Sequence, residues 1–104
     1  MNITVIGGGP AGMMAAAAAS AAGAQETLLE HNRYLGKKLG ITGKGRCNIT
    51  NAADMTDFIR NIPINGKFMH SAFYIFQNRD MIDLLARYGV ETKTERGNRV
   101  FPTS

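Results

Sequence analysis

Three glycines near the amino terminus have the spacing of a loop that binds phosphate groups. Gly7, Gly9 and Gly12 form the pattern GxGxxG within "VIGGGPAGMM". The first glycine permits a tight turn, the second lets a pyrophosphate approach the backbone, and the third lets a helix lie close to a strand. Pro10 and Ala11 stand where that helix begins, and its N-terminal N–H groups would face the phosphates. The pattern therefore predicts a dinucleotide site.

A carboxylate in the right place can complete such a site. Glu30 follows Gly12 by eighteen residues, where a carboxylate can accept both hydroxyls of an adenosine ribose and would repel a 2′-phosphate. The alternative is a glycine-rich turn in an ordinary α/β domain, with Glu30 as a solvated strand end. That alternative does not explain why the three glycines and the acid have the spacing of a dinucleotide-binding motif.

The elements around these residues have the order that the site needs. Ile3, Val5 and Ile6 predict a buried strand. Small, strong helix formers follow from residue 11 to about residue 22, and Gly23 is a plausible stop. Residues 27–29 predict a second strand that ends at Glu30. The order strand, glycine turn, helix, strand, acid is a βαβ unit, which is the context that supports the fingerprint.

A second glycine-rich stretch, "ITGKGRCNIT" at residues 41–50, looks too polar for a core strand and too glycine-rich for a helix. It is not a nucleoside-triphosphate loop, because Lys38 stands where that motif needs glycine and Gly45 where it needs Ser or Thr. We expect a loop beside the bound dinucleotide. Gly43 and Gly45 would allow close backbone approach, and Arg46 and the neighbouring lysines would add positive charge.

These pieces resemble the N-terminal part of the BaiN/RdsA-like NAD(P)/FAD-dependent oxidoreductases, also described as aminoacetone-oxidase-like flavoproteins. The resemblance is carried by "VIGGGPAGMMAA", the Glu30 position, "GKKLGITGKGRCNITN" and "RVFPTS", and it covers nearly the whole chain. "TGKGRCN" is the specific piece, since many flavoproteins share the first fingerprint. Gly40 departs from the pattern, because a larger apolar residue is usual there.

The resemblance implies FAD at the first glycine turn, and NAD(P)H as the electron donor for a small-molecule substrate such as a steroid-like conjugated carbonyl compound. It implies that the second loop lies along the FAD, towards the flavin. The expected cofactor-binding residues are Gly7, Gly9, Pro10, Ala11, Gly12, Glu30, His31, Lys38, Thr42, Gly43, Gly45, Arg46, Cys47 and Asn48. We interpret Cys47 as a packed small residue rather than a redox partner, and no residue stands out as catalytic.

The rest of the chain predicts helices followed by a β-hairpin. The expected helices are residues 54–60, residues 68–76 with a buried apolar face that includes Phe68 and Ile75, and a third, capped by Asn78 or Asp80, that stops at Gly89. The expected hairpin pairs residues 90–95 with residues 99–101.

Composition excludes several classes of protein. The chain has 104 residues, a formal net charge of +4 and one cysteine, so no internal disulfide forms. His31 and His70 lack the spacing of metal ligands. The alanine-rich run at residues 15–22 is too short for a membrane span and lacks the basic flank of a signal peptide. We therefore expect no membrane association and a cytoplasmic setting.

A doubly wound domain needs more parallel strands than the two that this chain predicts. We therefore interpret residues 1–104 as the N-terminal part of an α/β, Rossmann-like FAD-binding domain, with residues from about 90 onwards starting an inserted β-rich domain. The remainder of the same polypeptide would complete the fold. One alternative is a truncated, non-catalytic remnant that binds nucleotide weakly or not at all. A basic nucleic-acid binder is the other, but it lacks interleaved aromatic residues and leaves the first glycine turn unexplained.

Overall fold

A computed structural model describes all 104 residues, which form two compact units, Met1–Cys47 and Asn48–Ser104. Each unit combines a small β-sheet with helices. The predicted α/β class is therefore confirmed. No helix in either unit has the length and apolar character needed to cross a membrane.

The first unit opens with the expected βαβ arrangement. The first strand is not buried as predicted: Ile6 is 84% exposed, because alternate side chains of a strand point to opposite faces and Ile3 and Val5 share the other face. Strand β1 (Asn2–Ile6) and strand β2 (Gln25–Leu29) pair in parallel, and helix α1 (Pro10–Ala21) connects them and packs on both. Gly23, with a φ of 87°, follows the end of the helix as predicted. Since the carboxyl end of β1 leads into the start of α1, the glycine turn lies at the sheet edge where α/β proteins bind ligands.

The second glycine-rich stretch is partly helical, which corrects the sequence-based prediction. Helix α2 (Lys37–Gly45) begins directly after Gly36, and the backbone leaves helical geometry at Thr42, whose ψ is 160°. A single glycine inside a helix costs only about 1 kcal/mol relative to alanine, so Gly40 does not prevent the helical turn. The irregular loop is therefore residues 42–47 rather than the whole stretch.

The second unit is built on a three-stranded antiparallel sheet. Its strands are β3 (Thr50–Asn51), β4 (Thr92–Glu95) and β5 (Arg99–Pro102), in the spatial order β3-β5-β4. A 3₁₀ turn, Arg96–Asn98, connects β4 to β5, so the predicted hairpin is confirmed. Val100 and Phe101 of the central strand are fully buried and form the centre of this unit.

The helices of the second unit agree with the predictions in part. Helix α3 (Met55–Arg60) is capped by Asp54, whose Oδ1 accepts from the Asp57 N–H over 2.9 Å. The predicted helix over residues 68–76 is instead a 3₁₀ turn, Gly66–Met69, followed by helix α4 (His70–Ile75).

The prediction that Phe68 and Ile75 are buried is wrong, since they are 85% and 81% exposed. A helix of six residues has room for only a narrow buried face. Phe73 occupies that face and meets Phe58 edge to face, with ring centroids 5.2 Å apart. Phe68 lies in the preceding 3₁₀ turn, where the side-chain spacing differs from that of an α-helix.

Helix α5 (Asn78–Arg87) has a different cap from the one predicted. Gln77 is the N-cap, and Asp80 completes a reciprocal capping box by accepting from the Gln77 N–H over 2.7 Å. Asn78 instead turns its side chain inward, where it is only 5% exposed. The predicted stop at Gly89 is confirmed by its φ of 83° and by its N–H, which donates to Ala86 O.

Candidate functional site

Gly7 makes the turn out of β1. Its N–H donates to Leu29 O over 2.8 Å, which extends the β1–β2 pairing by one bond. Its φ is 100°, a backbone conformation that residues other than glycine rarely adopt. Glycine is therefore required here by the backbone alone.

Gly12 is required by packing. A Cβ atom at this position would collide with the carbonyl oxygen of Gly7 and would lie 3.5 Å from Cγ1 of Val5. The first turn of α1 thus passes directly over the glycine turn and the end of β1. This is the close helix–strand approach that the spacing of the third glycine predicts.

Gly9 has no such structural reason to be glycine. Its φ of −77° and ψ of −174° are accessible to any residue, and a Cβ atom built on it meets nothing within 4 Å. The space above Gly9 is therefore open, and a ligand would occupy the volume that a side chain would fill.

The backbone around Gly9 offers donors to an anion in that space. The N–H groups of Gly9, Ala11 and Gly12 have no acceptor within the chain, and the α1 N-cap carries no side-chain hydrogen bond. Pro10, at the first position of the helix, has no N–H to leave unpaired. Together with the positive end of the helix dipole, these donors fit the pyrophosphate of a dinucleotide.

Glu30 is held by the backbone on both of its carboxylate oxygens. Oε1 accepts from the Gly8 N–H and Oε2 from the Asn32 N–H, each over 2.7 Å. The Asn32 and Gly8 N–H groups hold the pKa of this carboxyl below its ordinary value, although burial acts in the opposite sense. A carboxylate has about four acceptor directions, so Glu30 can accept from a ribose hydroxyl as well.

The neighbours of Glu30 are less constrained. The His31 side chain is 89% exposed, and its Nε2 lies 4.0 Å from Glu30 Oε2. Lys38 is exposed on the first turn of α2. His31 thus lies next to the carboxyl end of β2, and the contact of either residue with a cofactor stays a prediction.

A link that the sequence did not reveal connects the two glycine-rich segments. The Gly36 N–H donates to Gly8 O over 2.8 Å, so the residue that precedes α2 is tied to the glycine turn. Gly36 has a φ of 69°, which a side chain would strain. The only sequence signal for it was a glycine followed by two lysines, which does not indicate its partner.

The loop at residues 42–47 has an unusual backbone. Gly43, Lys44, Gly45 and Cys47 have φ values of 58°, 58°, 86° and 65°. Non-glycine residues such as Lys44 and Cys47 are uncommon in this region and cluster at functional sites. Gly43 and Gly45 are thus explained by the backbone, whether or not a ligand approaches them.

Hydrogen bonds inside this loop close it on itself. The Cys47 N–H donates to Thr42 O over 3.0 Å, and the Thr42 hydroxyl donates to Leu39 O over 2.6 Å. Arg46 donates from both its backbone N–H and its Nε to Gly43 O, each over 3.3 Å. The roles of Thr42, Arg46 and Cys47 towards FAD stay predictions.

Asn48 is the first residue of the second unit. With its carboxamide oriented to donate, Nδ2 lies 3.2 Å from Thr50 O and 3.3 Å from Val100 O. The structure therefore anchors this side chain on the β3–β5 sheet, and its predicted contact with the cofactor is likewise untested.

Four features of the first unit together define a Rossmann-type dinucleotide-binding unit. They are the tight glycine turn, the open space over Gly9, the unpaired N–H groups at the start of α1 and the acid at the end of β2. In agreement, residues 1–104 match the family described as "HI0933-like protein Rossmann domain", and the chain belongs to this family. The resemblance inferred from the sequence is thereby confirmed.

Two curated proteins illustrate the relationship. The chain is 37% identical over 105 residues to a 3-dehydro-bile acid delta(4,6)-reductase of Clostridium scindens, which covers 98% of the chain and 25% of that protein. It is 35% identical over 86 residues to a ribosomal RNA dihydrouridine synthase of Escherichia coli, which covers 83% of the chain and 21% of that protein. The chain thus spans about a quarter or less of the length of these relatives.

Proposed function

We propose that this chain is the FAD-anchoring segment of a flavin-dependent oxidoreductase. The observation that carries the proposal is the open space over Gly9, beside backbone N–H groups that have no acceptor in the chain. The fold does not need glycine at this position, whereas a bound pyrophosphate would. Membership of the HI0933-like family supports FAD as the dinucleotide.

Different residues of the first unit would bind different parts of FAD. The N–H groups of Gly9, Ala11 and Gly12 would bind the pyrophosphate, and the remaining acceptor directions of Glu30 would bind the adenosine ribose. Because the Glu30 carboxylate also fixes Gly8, the two half-sites are held in one arrangement. When bound, FAD would supply hydride transfer between NAD(P)H and the substrate, which is chemistry that this chain's own side chains lack.

The names of the two relatives suggest which class of substrate the complete protein acts on. A delta(4,6)-reductase of a 3-dehydro bile acid and a dihydrouridine synthase both saturate a carbon–carbon double bond that is conjugated with a carbonyl group. We therefore infer a small molecule with such a conjugated bond as the substrate, acted on in the cytoplasm. The catalytic groups would lie in the part of the polypeptide that completes the domain.

The test uses the complete encoded polypeptide. We expect it to purify with flavin that stays bound through desalting, and to oxidise NADH or NADPH when a 3-keto steroid with a conjugated double bond is added. Matched controls are the same steroid with the double bond saturated, and a uridine-containing ribosomal RNA transcript. Tightly held NAD without flavin would overturn the FAD assignment. Turnover with the RNA but not the steroid would overturn the small-molecule substrate, and no nucleotide binding would favour the non-catalytic remnant.

A further inference from the structure

Gly36 is tied to the glycine turn by the hydrogen bond from its N–H to the carbonyl oxygen of Gly8, over 2.8 Å. We propose that Gly36 is a positioning residue for the phosphate site, which acts by orienting the N–H group of Gly9. This inference rests on the proposed FAD-binding function, and it assigns a role to a glycine for which the sequence suggested none.

The Gly8 carbonyl and the Gly9 N–H belong to one peptide group. The chain contains no cis peptide bond, so this group is planar and trans, and its N–H points opposite to its C=O. Whatever fixes the direction of Gly8 O therefore fixes the direction of the Gly9 N–H as well. Because Gly8 O is bound to Gly36, the Gly9 N–H points away from Gly36, where it has no acceptor within the chain.

The peptide group before it is held by a different partner. The Gly8 N–H donates to Glu30 Oε1 over 2.7 Å. Gly8 thus has partners for both its N–H and its C=O, although glycine has more backbone freedom than any other residue. Glu30 and Gly36 together constrain the backbone of Gly8, and of the two peptide groups only the one that Gly36 holds carries a free donor for phosphate.

Gly36 is itself firmly placed within the first unit. Its carbonyl oxygen accepts from the Gly40 N–H over 3.1 Å, which is the first hydrogen bond of α2. A Cβ atom built on Gly36 would lie 3.2 Å from Cε of Met13 in α1, and a Cβ atom built on Gly8 would collide with Cδ2 of Leu35. The bond to Gly8 therefore lies within a packed contact between residues 35–36, the glycine turn and α1.

The bond from Gly36 also affects the strength of the donor. When a peptide oxygen accepts a hydrogen bond, the group is polarised and its N–H becomes a better donor to the next acceptor. Orientation and polarisation of the Gly9 N–H thus act in the same direction. Loss of the Gly36 N–H should therefore weaken FAD binding even where the protein stays folded.

The position of the single cysteine makes a direct test possible. Residues 1–46 can be synthesised and joined by native ligation to an expressed segment that begins at Cys47 and completes the polypeptide. Glycolic acid in place of Gly36 gives a backbone ester, which removes the N–H donor without adding a side chain. We expect the Kd for FAD to rise about tenfold. With ¹⁵N at Gly9 alone, the change in this amide signal when FAD is added should also shrink.

The same replacement at Gly23 is the matched control. Gly23 also has a positive φ, of 87°, and its N–H also donates to a backbone carbonyl, Ser20 O, over 3.0 Å. The Gly23 ester should lower the apo-protein Tm but leave the Kd unchanged. A folded Gly36 ester that binds FAD as tightly as the ligated wild type would overturn the proposal, as would a Gly23 ester that weakens binding equally.

An encoded pair of variants covers the case in which the Gly36 ester does not fold. Gly36→Ala and Gly23→Ala both place a side chain on a residue with positive φ, so both should lower the Tm. Only Gly36→Ala should raise the Kd for FAD, and equal Kd values for the two variants would overturn the proposal. Failure of the wild-type protein to bind FAD would instead overturn the proposed function itself, and this inference with it.

Discussion

The Gly8 N–H and the Oε1 atom of Glu30 lie 2.7 Å apart and join the glycine turn to the end of β2. This bond gives Glu30 a structural role in addition to the ribose contact expected from the sequence. One carboxylate both shapes the phosphate-binding turn and keeps acceptor directions for a ligand. Its loss should therefore affect the apo-protein and the cofactor complex together.

Replacing Glu30 with glutamine tests this double role. Glu30→Gln keeps the shape but presents an NH₂ group to one of the two backbone N–H donors, so we expect a lower apo-protein Tm and a Kd for FAD raised about tenfold or more. Glu26→Gln, on an exposed residue of the same strand, is the control and should change neither quantity. If the Kd is unchanged, Glu30 is only a structural brace.

The same carboxylate predicts a pH dependence of stability. Its pKa in the folded protein is lowered, chiefly by the Asn32 N–H and then by the Gly8 N–H, so folding favours the ionised form. The resulting stabilisation is fully present above the pKa of the unfolded chain, about 4.3, and is lost as the pH falls through the lower folded-state value. Urea unfolding at neutral and acid pH should show the difference between wild type and Glu30→Gln shrinking below about pH 4. A difference that grows towards acid pH would contradict this.

Gly12 should be intolerant of even a methyl group. A Cβ atom there would meet the backbone oxygen of Gly7, and backbone cannot move aside as cheaply as a side chain. We expect Gly12→Ala to destabilise the apo-protein by about 1–3 kcal/mol or to prevent folding. Thermal melts in the absence of FAD measure this, with Gly9→Ala as the control that should melt like the wild type.

Gly40 should tolerate a side chain and gain from it. It lies in the helical part of α2, is exposed, and has open space where a Cβ would stand. Gly40→Ala should raise the free energy of unfolding by about 0.5–1 kcal/mol, because alanine loses less backbone freedom on folding. A lower stability would mean that residues 37–41 are not helical in solution.

Much of the first unit could be predicted from the sequence, because each of its elements has a local signal. The β-branched run, the glycine spacing and the alanine-rich helix place β1, α1 and β2 to within about two residues. The helical turn at residues 37–41 was not predicted, because the many glycines of the stretch were taken to exclude a helix. Within the turn itself, however, Gly40 is the only residue that disfavours a helix.

Long-range relationships were not predictable. The bonds from Gly36 to Gly8 and from Asn78 to Asn51 join residues more than twenty-five positions apart, and no periodicity indicates them. The exposure of Phe68 likewise depends on which face of a short segment meets its neighbours. In the candidate site, the physical reason for one glycine was not predictable either. Gly45 was interpreted as leaving room for a ligand, whereas its φ of 86° already favours glycine.

The most direct test of the central claim is the Kd for FAD of Gly9→Val in the complete polypeptide. Gly9 has an ordinary backbone conformation and open space above it, so valine should leave the apo-protein Tm unchanged while it fills the volume reserved for the pyrophosphate. Gly40→Val, which also adds a side chain into open space, is the matched control. The account predicts that Gly9→Val loses FAD binding by a hundredfold or more, on the order of 3 kcal/mol, while Gly40→Val binds normally. A folded Gly9→Val protein that binds FAD as tightly as the wild type would contradict it.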